Sequence, residues 1–513
     1  MACIGDNSPD PVVPLQGHTS QLDMHLSRRS LISSAGAIAG LVAVGSGSKA
    51  RSADQGDSVD VVVIGGGLSG LISARELKRA GHSVTLLEAK DRIGGRMVNQ
   101  GVAGNGVIDL GGQWGGKTQY RFEALTDELG LKRYPSYYDG KGVFLWNGRS
   151  YATDLFSDFD RAIGFSNPDD IDLPEQEKEA ALALWKELFE IAKTISVEKP
   201  WTSPNAEDLD ATPVSQWLAD RNASPLAQWM FGWICRGGGA QVFEPYEASM
   251  LHLAWTMAAA PPSEVPEDWL LYKGAGEVSK RLAAELGSDV ILNAPVFKID
   301  QDANGLSVMY GDGATLKAKV GIVAIPPVRR LSIQFNPPLS PRFVQLMQRT
   351  PMPSKWKVLA VYPTAFWRDQ GFCAAGSGNL EVLEQTADAC PPSGTPGIIA
   401  SFVSGNRIGR FSQLSHQDQE ALVLKDLVAF WGKEAGQPIE LVIKRWTEDP
   451  WLTGGYGLTR TPGAWTAYGS TWQDPHGKVF WAGTEQSTRW PGYFEGAIEA
   501  GIAAAQRANA VLA

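Results

Sequence analysis

The sequence predicts a chain of class α/β plus α+β, in which a discontinuous domain of Rossmann type carries an inserted domain of mixed sheet and helices. Three observations predict it. Val59-Asp60-Val61-Val62-Val63-Ile64 is rich in β-branched residues, the mark of a strand buried on both faces. It breaks at Gly65-Gly66-Gly67-Leu68-Ser69-Gly70 into a helical pattern that runs to Ala80. The same α/β character returns near Tyr272 and again in the last part of the chain, with helix-rich and mixed tracts between. The expected division is a leader at 1–57, a ligand-binding domain from 58–130, 270–335 and 445–513, and a second domain from 131–269 and 336–444.

The first element carries the most information. Gly65 permits the tight turn, Gly67 lets the backbone approach a pyrophosphate, and Gly70 lets helix and strand pack closely. The helix that starts at Leu68-Ser69 offers unpaired N–H groups and a positive dipole end. Val84-Thr85-Leu86-Leu87 is the next strand, and Glu88-Ala89-Lys90 at its tip places a carboxylate where a ribose hydroxyl can donate to it. Strand, helix, second strand and terminal acid stand in register for a dinucleotide.

Two further glycine clusters identify that dinucleotide as FAD. Arg92-Ile93-Gly94-Gly95-Arg96 follows Glu88, and Asp109-Leu110-Gly111-Gly112-Gln113-Trp114 comes next. A nicotinamide must come and go, whereas a flavin stays, and Arg96 beside Gly95 supplies a fixed cation for the pyrophosphate. Gly112, Gln113 and Trp114 complete the second clamp.

With 513 residues, 43% of them hydrophobic and 20% charged, the chain is long enough for two domains with ample core. A formal charge of −10 excludes nucleic acid as a partner, because phosphate binding needs a basic face. The four cysteines show no metal-binding spacing, and Cys373 and Cys390 are open to either a disulfide or free buried thiols. Eighteen tryptophans suit either apolar pockets or a tryptophan-rich core. In the leader, Ser27-Arg28-Arg29-Ser30-Leu31-Ile32 is a twin-arginine signature. The small-residue run behind it is too short to span a bilayer, so no stable membrane anchor is expected. Ser48-Lys49-Ala50 suits a signal peptidase, and Met24 is a candidate start. The expected destination is the periplasm; the alternative is a basic leader on a cytoplasmic protein.

Further along, Thr118 to Leu131 reads as an amphipathic helix and Phe144-Leu145-Trp146-Asn147-Gly148 as the turn of a hairpin. Helices dominate from Glu175 to about Ala258. A helix to Leu286, a strand holding Val296 near the adenine edge, a turn at Gly311–Gly313 and the buried strand Gly321–Ile325 rebuild the first domain. Ligand is expected where the two domains meet.

The C-terminal part contains Trp446-Thr447-Glu448-Asp449-Pro450-Trp451, Gly454-Gly455-Tyr456, Val479-Phe480-Trp481-Ala482-Gly483-Thr484-Glu485 and Arg489-Trp490-Pro491-Gly492-Tyr493-Phe494-Glu495-Gly496-Ala497. These motifs resemble the monoamine oxidase branch of the flavin amine oxidases, from about Val59 to the C-terminus and least between 150 and 260. The resemblance implies that Tyr456 and Tyr493 are two rings that guide the amine to the flavin. It places Gly483, Glu485 and the Phe494 N–H at the cofactor. It makes Lys357, ten residues before Trp367, the lysine bridged by water to the flavin N5, with Lys355 the runner-up. Animal members attach FAD through a cysteine just before the first tyrosine; Gly455 stands there, so the FAD is expected to be noncovalent.

The implied reaction is oxidative deamination: hydride to flavin, hydrolysis of the imine, and reoxidation by dioxygen to hydrogen peroxide. An amino-acid oxidase would need an arginine for the carboxylate, for which Arg489 is the candidate, and a polyamine oxidase would draw on Glu244, Glu247 or Glu264. Two rival readings stand beside these: a dehydrogenase serving a cytochrome, and a noncatalytic exported flavoprotein. The partners expected are a small amine and dioxygen or a redox protein, and a homodimer is left open.

Overall fold

Both faces of the first strand are covered, as its unbroken apolar run requires. In the structure, a computed structural model, Ser58–Ile64 is central to a sheet, and Val61, Val62 and Val63 are all fully buried. Val61 and Val63 pack on the side of Leu71, Ala74 and Ile498, whereas Val62 and Ile64 join a separate core with Val308, Val323 and Trp481. The residues described are 58–513 apart from 156–162, 165, 238–241 and 261–266, and apart from the side chain of residue 105. The twin-arginine motif, the cleavage site and the candidate start Met24 lie outside them.

Among the described residues this sheet has eight strands. Their order is Gln334–Asn336, Val296–Gln301, Leu306–Tyr310, Ala314–Val323, Ser58–Ile64, Val84–Leu87 and Val290–Ile291, with Val479–Trp481 also beside Ala314–Val323. Ile64 is level with both Val323 and Leu87 in parallel register, so three strands end together. Ligands of such sheets bind beyond these carboxyl ends. Helices Leu68–Arg79, Gly276–Leu286 and Phe494–Leu512 bury their apolar stripes in one core with this sheet. The first and last of them touch through small residues: Ser73 Oγ donates to the carbonyl of Gly501 at 2.9 Å. A Cβ on Gly501 would lie 2.6 Å from the Ser69 carbonyl oxygen.

The second sheet has seven strands among the described residues. Their order is Glu440–Arg445, Lys355–Tyr362, Gly397–Ser404, Gln385–Asp388, Phe372–Gly378, Lys141–Trp146 and Arg149–Thr153. The predicted hairpin is its last pair, turned by Asn147 and Gly148 with φ of 49° and 78°, the backbone of a type I′ turn. Lys355–Tyr362 is paired on both edges and buried along its whole length. Helices Glu175–Lys193, Pro225–Arg236 and Met250–Ala259 form a third layer around Trp185, Phe231 and Trp255.

Most tryptophans serve the core rather than a pocket, with Trp255, Trp465 and Trp472 clustered at ring separations of 5.0 to 5.9 Å. Cys373 and Cys390 are free and buried, which settles the open choice in favour of thiols. Among the described residues no helix is long and apolar enough to cross a membrane.

Candidate functional site

A cavity of about 580 Å³ opens at the carboxyl ends of the first sheet and continues to the second. The turn is built as the glycines demand: Gly65 has φ of 105°, and a Cβ on Gly70 would fall 2.0 Å from the Gly65 carbonyl oxygen. A Cβ on Gly67, by contrast, meets nothing within 4 Å. Gly67 borders open cavity, where backbone can approach a ligand.

Most predicted residues line this one space. Gly65, Gly67 and Ser69 come from the first turn, Glu88, Ala89 and Lys90 from the second strand's tip, and Gly95 and Arg96 from the next loop. Gly112, Gln113, Trp114 and Val296 follow, and Tyr456, Gly483, Tyr493 and Phe494 come from the C-terminal part. Hydrogen bonds hold these segments together. Glu88 accepts from the N–H groups of Gly66 at 2.6 Å and Lys90 at 2.9 Å, and burial raises its pKa. Ser69 Oγ accepts from the Gly483 N–H at 2.9 Å. The N-termini of helices Leu68–Arg79 and Phe494–Leu512 both reach the cavity.

Three predicted residues stand off the wall. Gly70 acts on the turn behind it. Glu485 is 1% exposed and pairs with Arg96 Nη1 at 2.6 Å, so it orients the arginine from behind rather than lining the cavity. Lys357 is fully buried one layer back, where Nζ donates to the carbonyls of Asp109 at 2.7 Å and Gly111 at 2.8 Å and to Gln113 Oε1. Burial lowers its pKa and raises that of Asp109, while each charge opposes the other's shift. Lys357 thus reaches the cavity through Gln113.

The tyrosines come from different segments. Tyr456 is held by its carbonyl, which accepts from Arg96 Nη1, and its ring meets Phe402 at 6.4 Å. Tyr493 precedes the last helix; its carbonyl accepts from Thr484 Oγ1 at 3.0 Å, and its ring lies 4.9 Å from Trp490. Lys355 is also on the wall, with Nζ 4.3 Å from the Phe402 ring centre and 5.8 Å from that of Tyr456.

Several expectations for substrate recognition fail. Arg489 is exposed and off the cavity. Glu244 is buried in a pair with Arg236 at 2.9 Å, Glu247 is exposed, and neither lines the cavity; Glu264 lies outside the described residues. The acids on the wall are instead Glu88, Asp388 and Glu267, and burial pushes the pKa of Glu267 up to about 7. Cys373, remote in sequence from Tyr456, also reaches the wall, with Sγ 3.4 Å from the Lys141 carbonyl oxygen and its pKa raised to about 11 by burial. Sequence reasoning missed Arg329, Ser332 and Ile333 after the strand Ala314–Val323; a strand end beside the glycine turn was the available signal. It also missed Gln385, Thr386 and Phe402, for which no local signal exists.

These residues fit a flavin dinucleotide. Gly67 leaves room beside a helix N-terminus, Arg96 supplies a cation, Glu88 an acceptor, and Gln113 Nε2 is a buried donor without a partner among the described residues.

Comparison with known proteins agrees. Residues 68–509 match the family model described as flavin containing amine oxidoreductase, and residues 29–105 match that of pyridine nucleotide-disulphide oxidoreductases. The chain is 37% identical over 450 residues to an L-amino acid dehydrogenase of Synechocystis sp., covering 88% of this chain and 94% of that one. The solved structure of wild-type putrescine oxidase bound to putrescine superposes with a TM-score of 0.81 at 29% identity, over 89% of this chain and 99% of the other. Cyclohexylamine oxidase from Brevibacterium oxydans gives 0.81 at 31% identity, over 88% and 99%.

Proposed function

Because the chain belongs to the flavin-containing amine oxidoreductases, an FAD-dependent family, we propose that it catalyses the oxidative deamination of an amine, with dioxygen as electron acceptor and noncovalent FAD. The observation that carries the reading is the convergence of Tyr456 and Tyr493 on the cavity that the glycine turn and Arg96 border. Bound FAD would supply the two-electron acceptor for oxidation of the substrate's C–N bond to an imine, which water hydrolyses, with dioxygen as the terminal acceptor. Gly67, Ser69, Glu88 and Arg96 would hold the dinucleotide's phosphates and ribose, and Gln113, Trp114 and Phe494 would border its ring. Tyr456 and Tyr493 present π faces, which attract a cation or an amine lone pair without a carboxylate to keep the amine protonated. The Tyr456 phenol oxygen is buried, which raises its pKa and keeps it protonated. Lys357, its proton loosened by burial, stands behind Gln113 where a cation favours electron transfer to dioxygen.

Noncovalent attachment is supported by Gly455 at the position before Tyr456 and by the engagement of the Cys373 thiol with a backbone carbonyl. Export through the twin-arginine route to the periplasm is part of the proposal and rests on Ser27 to Ile32 alone. Anaerobic mixing of the FAD-loaded protein with primary, secondary and polyamines tests the reaction. At least one class should bleach the flavin's visible band, and admission of air should restore it with release of hydrogen peroxide. A flavin left oxidised by every amine and by the matching α-amino acids would refute deamination, and bleaching that air does not reverse would refute dioxygen as acceptor.

A further inference from the structure

Lys355 is a cation in search of a partner. It is 2% exposed, lies on the cavity wall and forms one hydrogen bond among the described residues, a long one of 3.4 Å to the Arg236 carbonyl. The rings of Phe402 and Tyr456 cover part of it. No carboxylate among the described residues pairs with its nitrogen. Glu384, one of two acids whose charge reaches it, is already shared by Arg236 at 2.6 Å and Arg407 at 2.9 Å. Glu267, the other, also acts on it only from a distance. Burying an ammonium without a counterion is costly, so such a group is retained where something else completes it.

Its place in the cavity says what completes it. Nζ sits 5.8 Å from the ring centre of Tyr456, one of the two tyrosines assigned to guide the reacting amine. A simple alkylammonium arriving there meets a like charge in a site of low dielectric, which disfavours binding. A substrate with a carboxylate one carbon from its amine cancels that repulsion. A charge-assisted N–H···O bond of about 2.7–2.9 Å to Lys355 would then place the adjacent nitrogen near the tyrosine.

We propose that Lys355 binds a carboxylate carried beside the substrate's reacting amine, which makes the substrate an α-amino acid rather than a simple amine. The proposal rests on the deamination reading. It assigns to a strand lysine the anion-binding duty that Arg489, exposed and off the cavity, does not perform. The ammonium's pKa, lowered to about 8 by burial, should rise once the carboxylate pairs with it.

The test uses the full chain loaded with FAD and compares matched pairs under anaerobic stopped flow: leucine with isoamylamine, phenylalanine with phenethylamine, lysine with cadaverine. Benzoate and benzyl alcohol serve as nonreacting probes, read by perturbation of the flavin spectrum. In at least one pair the amino acid should bind more tightly than its amine, and benzoate should bind where benzyl alcohol does not. Lys355→Met should raise the Kd for that amino acid and for benzoate about 10- to 100-fold, the worth of a hydrogen bond to a charged group, and bring the ratio within the pair towards one. Lys355→Arg should keep most of the preference, which a merely structural lysine would not explain. Lys355→Gln replaces the Met variant if the latter loses FAD. Equal Kd values within every pair, or a variant that moves amine and amino acid alike, overturns the proposal and leaves deamination standing. Reduction by neither member of any pair overturns both.

Discussion

Gly67→Ala separates cofactor contact from folding at a single methyl group. The added Cβ has no protein atom within 4 Å and φ at Gly67 is −73°, so the apoprotein should accept it without strain. Two small terms oppose each other. Alanine is a poorer helix N-cap than glycine, by several tenths of a kcal/mol. Loss of glycine's freedom in the unfolded chain returns about 0.4–1 kcal/mol. The net change in apoprotein stability should stay within about 0.5 kcal/mol, a surface-like value. The same methyl stands where the pyrophosphate must pass, and overfilling a packed contact costs roughly 1–3 kcal/mol. That corresponds to a Kd for FAD raised about 5- to 150-fold. Titration of apoprotein with FAD, followed by flavin fluorescence, gives the Kd, and calorimetry gives the apoprotein's stability. Gly70→Ala is the control in the opposite sense, because its Cβ would collide with the Gly65 carbonyl at 2.0 Å and should damage folding itself. A Gly67→Ala protein that binds FAD within twofold of the parent, at unchanged stability, would refute the assignment of this turn to the pyrophosphate.

Other expectations follow from the same geometry. Arg96→Met leaves the Glu485 carboxylate buried without its partner and should cost about 3–5 kcal/mol; adding Glu485→Gln should restore part of it in urea melts. Lys357→Met should slow reoxidation by dioxygen far more than reduction by substrate, and equal slowing of both half-reactions would remove Lys357 from that role. His252, fully buried beside Arg460, has its pKa lowered to about 3 by burial and by that cation. A base whose folded pKa is depressed is protonated first in the unfolded chain. Stability from this residue is therefore complete above about pH 6.5 and falls by about 1.4 kcal/mol per pH unit down to about pH 3, a slope that His252→Gln should flatten. Acid precipitation should release yellow FAD into the supernatant, and colour retained in the pellet would show a covalent bond.

Legibility in the sequence followed the range of the physics. The glycine turn, Glu88 and the second clamp were readable because backbone demands at Gly65 and Gly70 are met within a few residues of chain. The C-terminal motifs were readable for another reason, their resemblance to a known family, and the structure sets Gly483 at a strand end and Tyr493 at a helix start. Two residues of like character on one strand were harder. Lys355 and Lys357 share a face by alternation, yet only packing against Gly111 and Gln113 puts one behind the wall and leaves the other on it. Glu485, placed at the cofactor by the resemblance, braces Arg96 instead. Gln385, Thr386 and Phe402 come together only through antiparallel pairing of strands whose sequences advertise a sheet and nothing more.

The contact between Ser73 and Gly501 joins a helix near the start of the described chain to the final one. The strand Val479–Trp481 likewise pairs in parallel with Ala314–Val323. Gly483, Tyr493 and Phe494 bring this far part of the sequence to the cavity wall. The nucleotide turn and the side that closes it thus lie 414 positions apart in the chain, so the prosthetic group's cavity needs both ends of this fold at once.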